Sequence, residues 1–193
     1  MAKISSGNSK LGKIPNISLV PCKDCPADAP CRKDCYALKA YKQYPLVRKA
    51  WGINSKQVKD NRWQYFKDIA TYLQKKKPDF FRWHVAGDVP DECYFMSMCD
   101  IAREFPETKF LAFTKRLDLL KLMKEEIPAN LTVVASMWPG WGTPPKNYPK
   151  AWMQDGTETR MPKDALVCPG NCGDCGACWN LRNLKKDVVF KKH

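Results

Sequence analysis

The distribution of cysteines constrains this chain more than any other feature of its sequence. Four of the ten cysteines lie within residues 22–35, four lie within 168–178, and only Cys93 and Cys99 lie between them. No apolar signal segment follows the basic N-terminal residues, so we expect a reducing compartment rather than a secreted disulfide scaffold. In such a compartment, cysteines in close groups are predicted to bind metal.

The C-terminal cysteine set has the compact spacing CPGNCGDCGAC, with three glycines that allow tight turns between ligands. Short Cys-x2-Cys repeats of this kind are typical of [4Fe–4S] clusters. Zinc is the alternative, although four-thiolate zinc sites usually consist of two cysteine pairs separated by a longer loop. The predicted ligands of this set are Cys168, Cys172, Cys175 and Cys178.

The N-terminal cysteine set contains Cys22, Cys25, Cys31 and Cys35. Either all four bind one cluster, or three bind it and Cys25 or another thiol is spare, which leaves one iron open to a substrate. A third arrangement shares clusters between the two ends of the chain. Cys93 and Cys99 are expected to be core thiols, because free cysteine behaves as a small apolar residue.

The middle of the chain predicts alternating strands and helices. Helices are expected over 61–76 (with Trp63 on the apolar face), 91–104 and 116–127, and strands over 80–85, 109–114 and 131–137. This β-α-β-α-β order predicts a parallel sheet, either doubly wound or, as we favour, a partial (β/α) barrel. Two further helical pieces are expected over 32–60 and a late strand over 187–193.

We expect a single domain made of four segments that differ in composition. The predicted division is an N-terminal cysteine segment (1–45), a β/α core (46–137), a loop rich in proline and tryptophan (138–165) and a C-terminal cysteine segment with the last strand (166–193). Little periodicity is present over 138–162, so this stretch predicts an ordered loop rather than regular structure.

Polar side chains follow the ends of the three predicted strands. His84 lies at the carboxyl end of the first strand and Asp88 follows it, Lys115 follows the second, and Ser136 lies at the end of the third. Site residues collect at the carboxyl ends of parallel strands, so we expect these four to form one pocket floor and to act in catalysis. The alternative is a hydrogen-bonded structural histidine, with Asp88 capping the next helix.

The formal net charge of +13 predicts a polyanionic partner such as DNA or RNA, or simply a soluble surface. Trp138, Trp141 and Trp152 in the long loop are the candidates for stacking on bases. The apolar runs are far shorter than the roughly 18 residues that a membrane span needs, so no membrane partner is expected.

Several segments together resemble the phage gene product 88 family. They are CRKDCYA (31–37), FRWHVAGDVPD (81–91), ETKFLAFTKR (107–116), the WPG turn at 138–140, CPGNC and the closing VVFKKH. The resemblance implies a viral protein in the bacterial cytoplasm, related to radical S-adenosylmethionine enzymes with a partial barrel and a [4Fe–4S] cluster. The chain departs from that superfamily, because no third cysteine follows Tyr36 at the usual spacing and no GGE-like segment is present.

These observations lead to one principal expectation and one alternative. The first is a redox or radical-type enzyme with two [4Fe–4S] clusters, S-adenosylmethionine as a possible cofactor and a host protein as a possible electron donor. The N-terminal cluster would be the reactive one, and the C-terminal cluster would be auxiliary. The alternative is a nucleic-acid-binding protein without catalysis, in which iron–sulfur or zinc sites are structural.

Overall fold

The computed structural model describes residues 1–123, 127–154 and 158–191, and its centre is an open, seven-stranded sheet in which every neighbouring pair is parallel. The strands are β1 (Asn16–Ile17), β2 (Phe80–Trp83), β3 (Lys109–Thr114), β4 (Leu131–Ser136), β5 (Lys150–Gln154), β6 (Leu166–Val167) and β7 (Val188–Lys191). Their order is β1-β2-β3-β4-β5-β7-β6. The prediction of an α/β fold with a parallel sheet is confirmed, and the open sheet is consistent with a partial barrel.

The helices predicted over 61–76 and 91–104 and the two pieces expected within 32–60 are present, and the helix predicted over 116–127 is shorter than expected. The helices are α1 (Tyr36–Gln43), α2 (Pro45–Asp60), α3 (Arg62–Lys76), α4 (Glu92–Glu104), α5 (Leu117–Leu122), α6 (Cys172–Cys175) and α7 (Leu181–Leu184). The break at Pro45 is confirmed, because proline suits the first turn of a helix, where its missing N–H is not needed. Residues 124–126, within the third predicted helix, lie outside the described residues. No helix among those described is long and apolar enough to cross a membrane.

The principal core lies between the helices and one face of the sheet. Side chains from β2, β3 and β4 on this face pack with α3 and α4, whose buried residues include Tyr65, Phe66, Tyr94 and Met98. Trp63 is an exception to the predicted face of α3, since its side chain is 68% exposed. Tyr65 occupies the inward position instead, so the buried stripe of α3 is rotated from the predicted one.

The two central cysteines have different environments. Cys99 is buried in the principal core, as predicted. The prediction for Cys93 is wrong, because this thiol is exposed. Cys93 lies in the first turn of α4, where the side chains that face the core are Tyr94 and Phe95.

Three strands were not predicted from the sequence. β1 and β6 have only two residues each, too few for a period-2 pattern. β5 lies inside the region 138–162, where a loop was expected. Trp152 on this strand is buried, and its indole N–H donates to Asp187 Oδ2 at 2.8 Å, so it is not available to stack on a base. The predicted loop therefore contains part of the sheet.

The C-terminal cysteine segment covers the second face of the sheet. Trp179, in a 3-10 turn (Ala177–Asn180), packs there with Leu111 and Val134. Its indole N–H donates to the Phe81 carbonyl at 3.1 Å, and its own carbonyl accepts from the Thr132 hydroxyl at 2.8 Å. These contacts bring the last quarter of the chain against the middle strands.

A close approach at Gly87 joins the N-terminal segment to the loop after β2. Gly87 has φ +79°, and a Cβ built there would lie 2.6 Å from Leu19 Cβ. We therefore expect Gly87→Ala to lower the free energy of unfolding by about 1–3 kcal/mol, through the left-handed backbone and the clash with a buried side chain.

Gly52→Ala is the matched control for this substitution in denaturant unfolding. Gly52 lies inside α2, and no atom lies within 4 Å of the position that a Cβ would take, so alanine there is expected to stabilise by about 0.5–1 kcal/mol. Equal effects of the two substitutions would contradict the close approach at Gly87.

Candidate functional site

The N-terminal cysteine segment docks on the carboxyl end of β2. The Leu19 N–H donates to the Ala86 carbonyl at 2.9 Å, and the Asp88 N–H donates to the Asp24 carbonyl at 2.9 Å. The Tyr36 hydroxyl, next to Cys35 in sequence, donates to the Val85 carbonyl at 2.7 Å. The segment is thereby held over the edge of the sheet where site residues were expected.

The four N-terminal thiols share one neighbourhood. Burial is the largest cause that raises the pKa of Cys22, and the nearby side chains of Cys35 and Cys31 raise it further. Cys22 has a left-handed backbone with φ +62°, and its carbonyl accepts from the Arg32 guanidinium. This turn brings Cys22 back towards the other members of the set.

Cys25 connects this set to the sheet. Burial, followed by the charge of Asp88, raises the pKa of the Cys25 thiol to about 12, and Cys31 and Cys22 also contribute to that shift. Without a cation, Cys25 is therefore a neutral thiol near Asp88. A bound metal ion would supply the positive charge that favours its thiolate.

The four C-terminal cysteines line a single pocket beside Trp179. Backbone hydrogen bonds hold the segment: the Cys168 N–H donates to the Val189 carbonyl at 2.9 Å, and the Cys172 N–H donates to the Lys10 carbonyl at 2.8 Å. Burial raises the pKa of Cys178 to about 12 and also raises that of Cys172. The set is therefore assembled by contacts with two distant parts of the chain.

Arg82 provides positive charge next to the C-terminal set. It projects from β2, and its guanidinium lies 4.4 Å from the centre of the Phe113 ring. The Arg82 charge lowers the pKa values of Cys172 and Cys178 against the larger effect of burial. A fixed cation in this position favours thiolates, the form of cysteine that binds metals.

The thiols of the two cysteine sets are suitable ligands for metal ions that prefer sulfur, but their positions match a metal site only in part. All eight cysteines of the two sets are free thiols. In the described parts of the chain, no group of three or more His, Cys, Asp or Glu side chains is arranged to hold a metal ion. Coordination would therefore require the sulfur atoms of each set to move closer together.

His84 is buried in a chain of hydrogen-bonded rings. Its Nε2 lies 2.9 Å from the Tyr94 hydroxyl, which in turn lies 2.9 Å from the Tyr65 hydroxyl. Its Nδ1 is buried without a hydrogen-bond partner among the described residues. Burial, helped by the charge of Arg82, lowers the pKa of His84 to about 3, so the imidazole is neutral at neutral pH. β2 ends at Trp83, two residues before the predicted end, because the left-handed backbone of His84 (φ +50°) interrupts the strand.

Asp88 joins the ends of β2 and β3. Its carboxylate accepts from the Thr114 hydroxyl at 2.6 Å, from the Lys115 N–H at 2.9 Å and from the Val89 N–H at 2.8 Å. Burial raises the pKa of Asp88 in spite of these bonds. The alternative role as a helix cap is wrong, because Asp91 caps α4 by accepting from the Tyr94 N–H.

Ser136 lies apart from the other three predicted site residues. Ala135 pairs with Thr114 across β3 and β4 and lies in the principal core. Successive side chains alternate between faces, so Ser136 projects to the second face while Asp88 contacts Thr114 on the first. The structure thus brings Asp88 and Lys115 together, places His84 in the core nearby, and separates Ser136. A catalytic role of these residues stays a prediction.

Two kinds of participant were missed by sequence reasoning. Tyr65 and Tyr94 partner His84, but their helical spacing is that of ordinary core residues, so the sequence holds no signal for this role. Arg82 alternates with apolar residues on β2, and an arginine inside an aromatic strand was a usable signal for a buried charge.

The loop tryptophans have structural roles. The Trp141 indole N–H donates to the Lys115 carbonyl at 3.3 Å, and its ring packs against the principal core. Trp138 is half-buried, and its carbonyl accepts from the Trp141 N–H at 2.9 Å. The loop is ordered by these contacts with the end of β3.

Fold and site together define an open, all-parallel α/β protein with one thiol-rich segment at the carboxyl edge of its sheet and another on its second face. The chain belongs to the gene product 88 family, whose model matches residues 2–139. This match supports the expected phage protein family. It contains the N-terminal cysteine set, His84, Asp88, Lys115 and Ser136, and ends before the C-terminal set. Neither the curated proteins nor the solved structures contain a match to the chain.

The depressed pKa of His84 predicts a pH-dependent stability. The unfolded chain binds a proton to this residue near its ordinary value of 6.5, whereas the folded protein resists it until about 3. The contribution of His84 is therefore complete above pH 6.5 and is lost as the pH falls towards 3, with a limiting slope of about 1.4 kcal/mol per pH unit.

Denaturant unfolding of the wild type and of His84→Gln between pH 7 and pH 4 measures this contribution. The raised pKa of Asp88 changes the stability in the opposite direction, since the folded state holds that proton more tightly and gains stability as the pH falls. It is present in both proteins, so the difference between the two curves isolates His84. We expect the variant to have the flatter profile, and parallel curves would exclude a buried neutral imidazole.

Proposed function

We propose that this protein binds two [4Fe–4S] clusters, one at each cysteine set, and acts as a redox or radical-type enzyme. The observation that carries the proposal is the gathering of the thiols of each set, most directly the four C-terminal cysteines that line one pocket. When bound, such clusters transfer single electrons at potentials tuned by the charge, hydrogen bonds and solvent exposure around them.

The surroundings of the two sets support different roles. Residues Cys168–Cys178 lie against the second face of the sheet with Trp179 and Arg82, which suits an auxiliary cluster that stabilises the C-terminal segment or passes electrons. The N-terminal set lies at the carboxyl edge, beside Asp88 and Lys115. A reaction is proposed there, because Asp88 holds the end of β3 in place and its raised pKa suits it to exchange a proton.

The spacing of the C-terminal set favours iron–sulfur over zinc. Its ligands lie two or three residues apart, and the helical turn α6 carries Cys172 and Cys175. The Gly176 backbone with φ +57° then redirects the chain to Cys178. One compact loop with four thiolates is typical of [4Fe–4S] binding, whereas zinc more often joins two separate pairs.

Anaerobic purification followed by iron and sulfide analysis tests the proposal. We expect roughly eight irons and eight sulfides per chain and a broad absorption near roughly 400 nm. Cys172→Ala and Cys22→Ala are each expected to halve the iron content. Cys93→Ala is the matched control, because this exposed cysteine belongs to neither set. Zinc without sulfide would overturn the proposal.

Electron transfer alone and radical chemistry differ in their products. Reductant and S-adenosylmethionine are added to the anaerobic protein, and 5′-deoxyadenosine is measured by chromatography. Formation of this product that is lost in Cys22→Ala supports the radical reaction. Reversible reduction of the clusters without formation of 5′-deoxyadenosine would indicate electron transfer alone, with a host redox protein as the proposed electron donor.

Nucleic-acid binding is a second candidate, supported by the charge of +13. Trp63 on α3 is exposed, and Lys67 Nζ lies 4.7 Å from the centre of its ring, so this surface offers both an aromatic face and a cation. We expect binding to single-stranded DNA or RNA that weakens steeply with salt, and a weaker affinity for Trp63→Ala. Fluorescence anisotropy measures both, and lack of binding at low salt would exclude this function.

A further inference from the structure

A pocket of about 340 Å³ opens beside Cys25, at the carboxyl edge of β2 and β3. Its apolar lining comprises Pro26 and Pro90, which are half-buried, and Leu19, Val58 and Val89, which are buried. The volume lies in the range of about 300–1,000 Å³ that is usual for small-molecule sites. The carboxyl edge of a parallel sheet is also where such sites are generally found.

The charges around this pocket are unequal. Four cationic side chains line it, and the acidic residues among its lining are Asp24 and Asp91. Asp91 forms a bidentate ion pair with Arg62, in which both N–O distances are 2.7 Å. The Asp24 carboxylate accepts from the Val20 N–H at 2.8 Å and from the Ser55 hydroxyl. The charge of Asp91 is therefore compensated by Arg62, whereas Asp24 is bonded to neutral groups, which leaves two lysines against one carboxylate.

Lys23 and Lys59 are the cations that remain. Neither forms an ion pair within the described residues, and both line the pocket from different segments, the N-terminal cysteine loop and the end of α2. Two ammonium groups facing one cavity repel each other, and a bound anion relieves that repulsion. The pair thus favours a negatively charged ligand over a neutral or cationic one.

Arg116 also lines the pocket, and its charge is compensated by an ion pair, as that of Arg62 is. Its guanidinium donates to the Val89 carbonyl at 3.1 Å and to the Pro90 carbonyl, and it pairs with Asp118 at 2.7 Å. These contacts hold the Arg116 side chain against the loop that lines the pocket, so the side chain does not lose further conformational freedom when a ligand binds.

We propose that this pocket binds a small organic anion, an apolar or aromatic body of mononucleotide size whose phosphate or carboxylate lies between Lys23 and Lys59. The body of the ligand would lie against the apolar lining at Pro26 and Pro90. Because the pocket lies next to Cys25, it would be the substrate or effector site of the N-terminal centre, an assignment that rests on the proposed function. The pocket itself is formed by contacts of the polypeptide, so anion binding is separable from the proposed clusters.

Isothermal titration of the anaerobically purified full-length protein tests the proposal. The probes are AMP, inorganic phosphate, citrate and neutral adenosine. AMP is expected to bind more tightly than adenosine and to weaken as salt is added. Binding of citrate but not of AMP or phosphate would identify a carboxylate ligand. Binding of AMP and phosphate but not of citrate would identify a phosphate ester.

The double variant Lys23→Met/Lys59→Met is expected to bind the preferred anion at least about tenfold more weakly, the size of one lost charge-assisted hydrogen bond. The control Lys39→Met/Lys49→Met removes the same charge from exposed positions on α1 and α2 outside the pocket and is expected to bind like the wild type. Iron content is measured in parallel, so loss of anion binding with unchanged iron separates this site from the clusters.

Three results would overturn the proposal: no saturable binding of any anion in the millimolar range, adenosine binding as tightly as AMP, or equal weakening in the two double variants. Competition between phosphate and AMP in the wild type gives a readout that needs no variant. Phosphate is expected to displace AMP, and failure to compete would place AMP outside the cationic pocket.

Discussion

A parallel sheet has to be covered on both faces, because its strands carry apolar side chains on both faces. In this protein two different layers cover it. Helices α2–α5 pack on the first face and form the principal core. The second face is covered by the C-terminal cysteine segment, whose Trp179 is hydrogen-bonded to the Phe81 carbonyl and to Thr132. The position of the C-terminal thiols is thus a consequence of how the sheet is buried.

The same sheet explains why the N-terminal segment matters. The loops after β2 and β3 meet at one edge, where Asp88 accepts hydrogen bonds from Thr114 and Lys115. The N-terminal loop is fixed to that edge by the bond from the Asp88 N–H to the Asp24 carbonyl. Thiols, a buried carboxyl and a cationic pocket therefore come together although they are distant in sequence.

The regular elements were predictable where their patterns were long. Strand β3 and helices α3 and α4 follow the expected boundaries within about one residue, since apolar periodicity and capping residues mark them. β5 was missed because its pairing with β4 and β7, rather than its own sequence pattern, makes it a strand. Trp63 and Cys93 were placed inside wrongly, because a helical pattern leaves the edges of the buried stripe uncertain by one position.

The sequence by itself determined that the middle of this chain would form a parallel α/β sheet and that eight cysteines would fall into two sets. Spacing along the chain is enough for both inferences. Only the tertiary structure decided that Cys25 lies near Asp88, that Arg82 faces the C-terminal thiols, and that Ser136 is on the other face from Asp88. Those relations depend on register and on long-range docking, which a local sequence pattern does not contain.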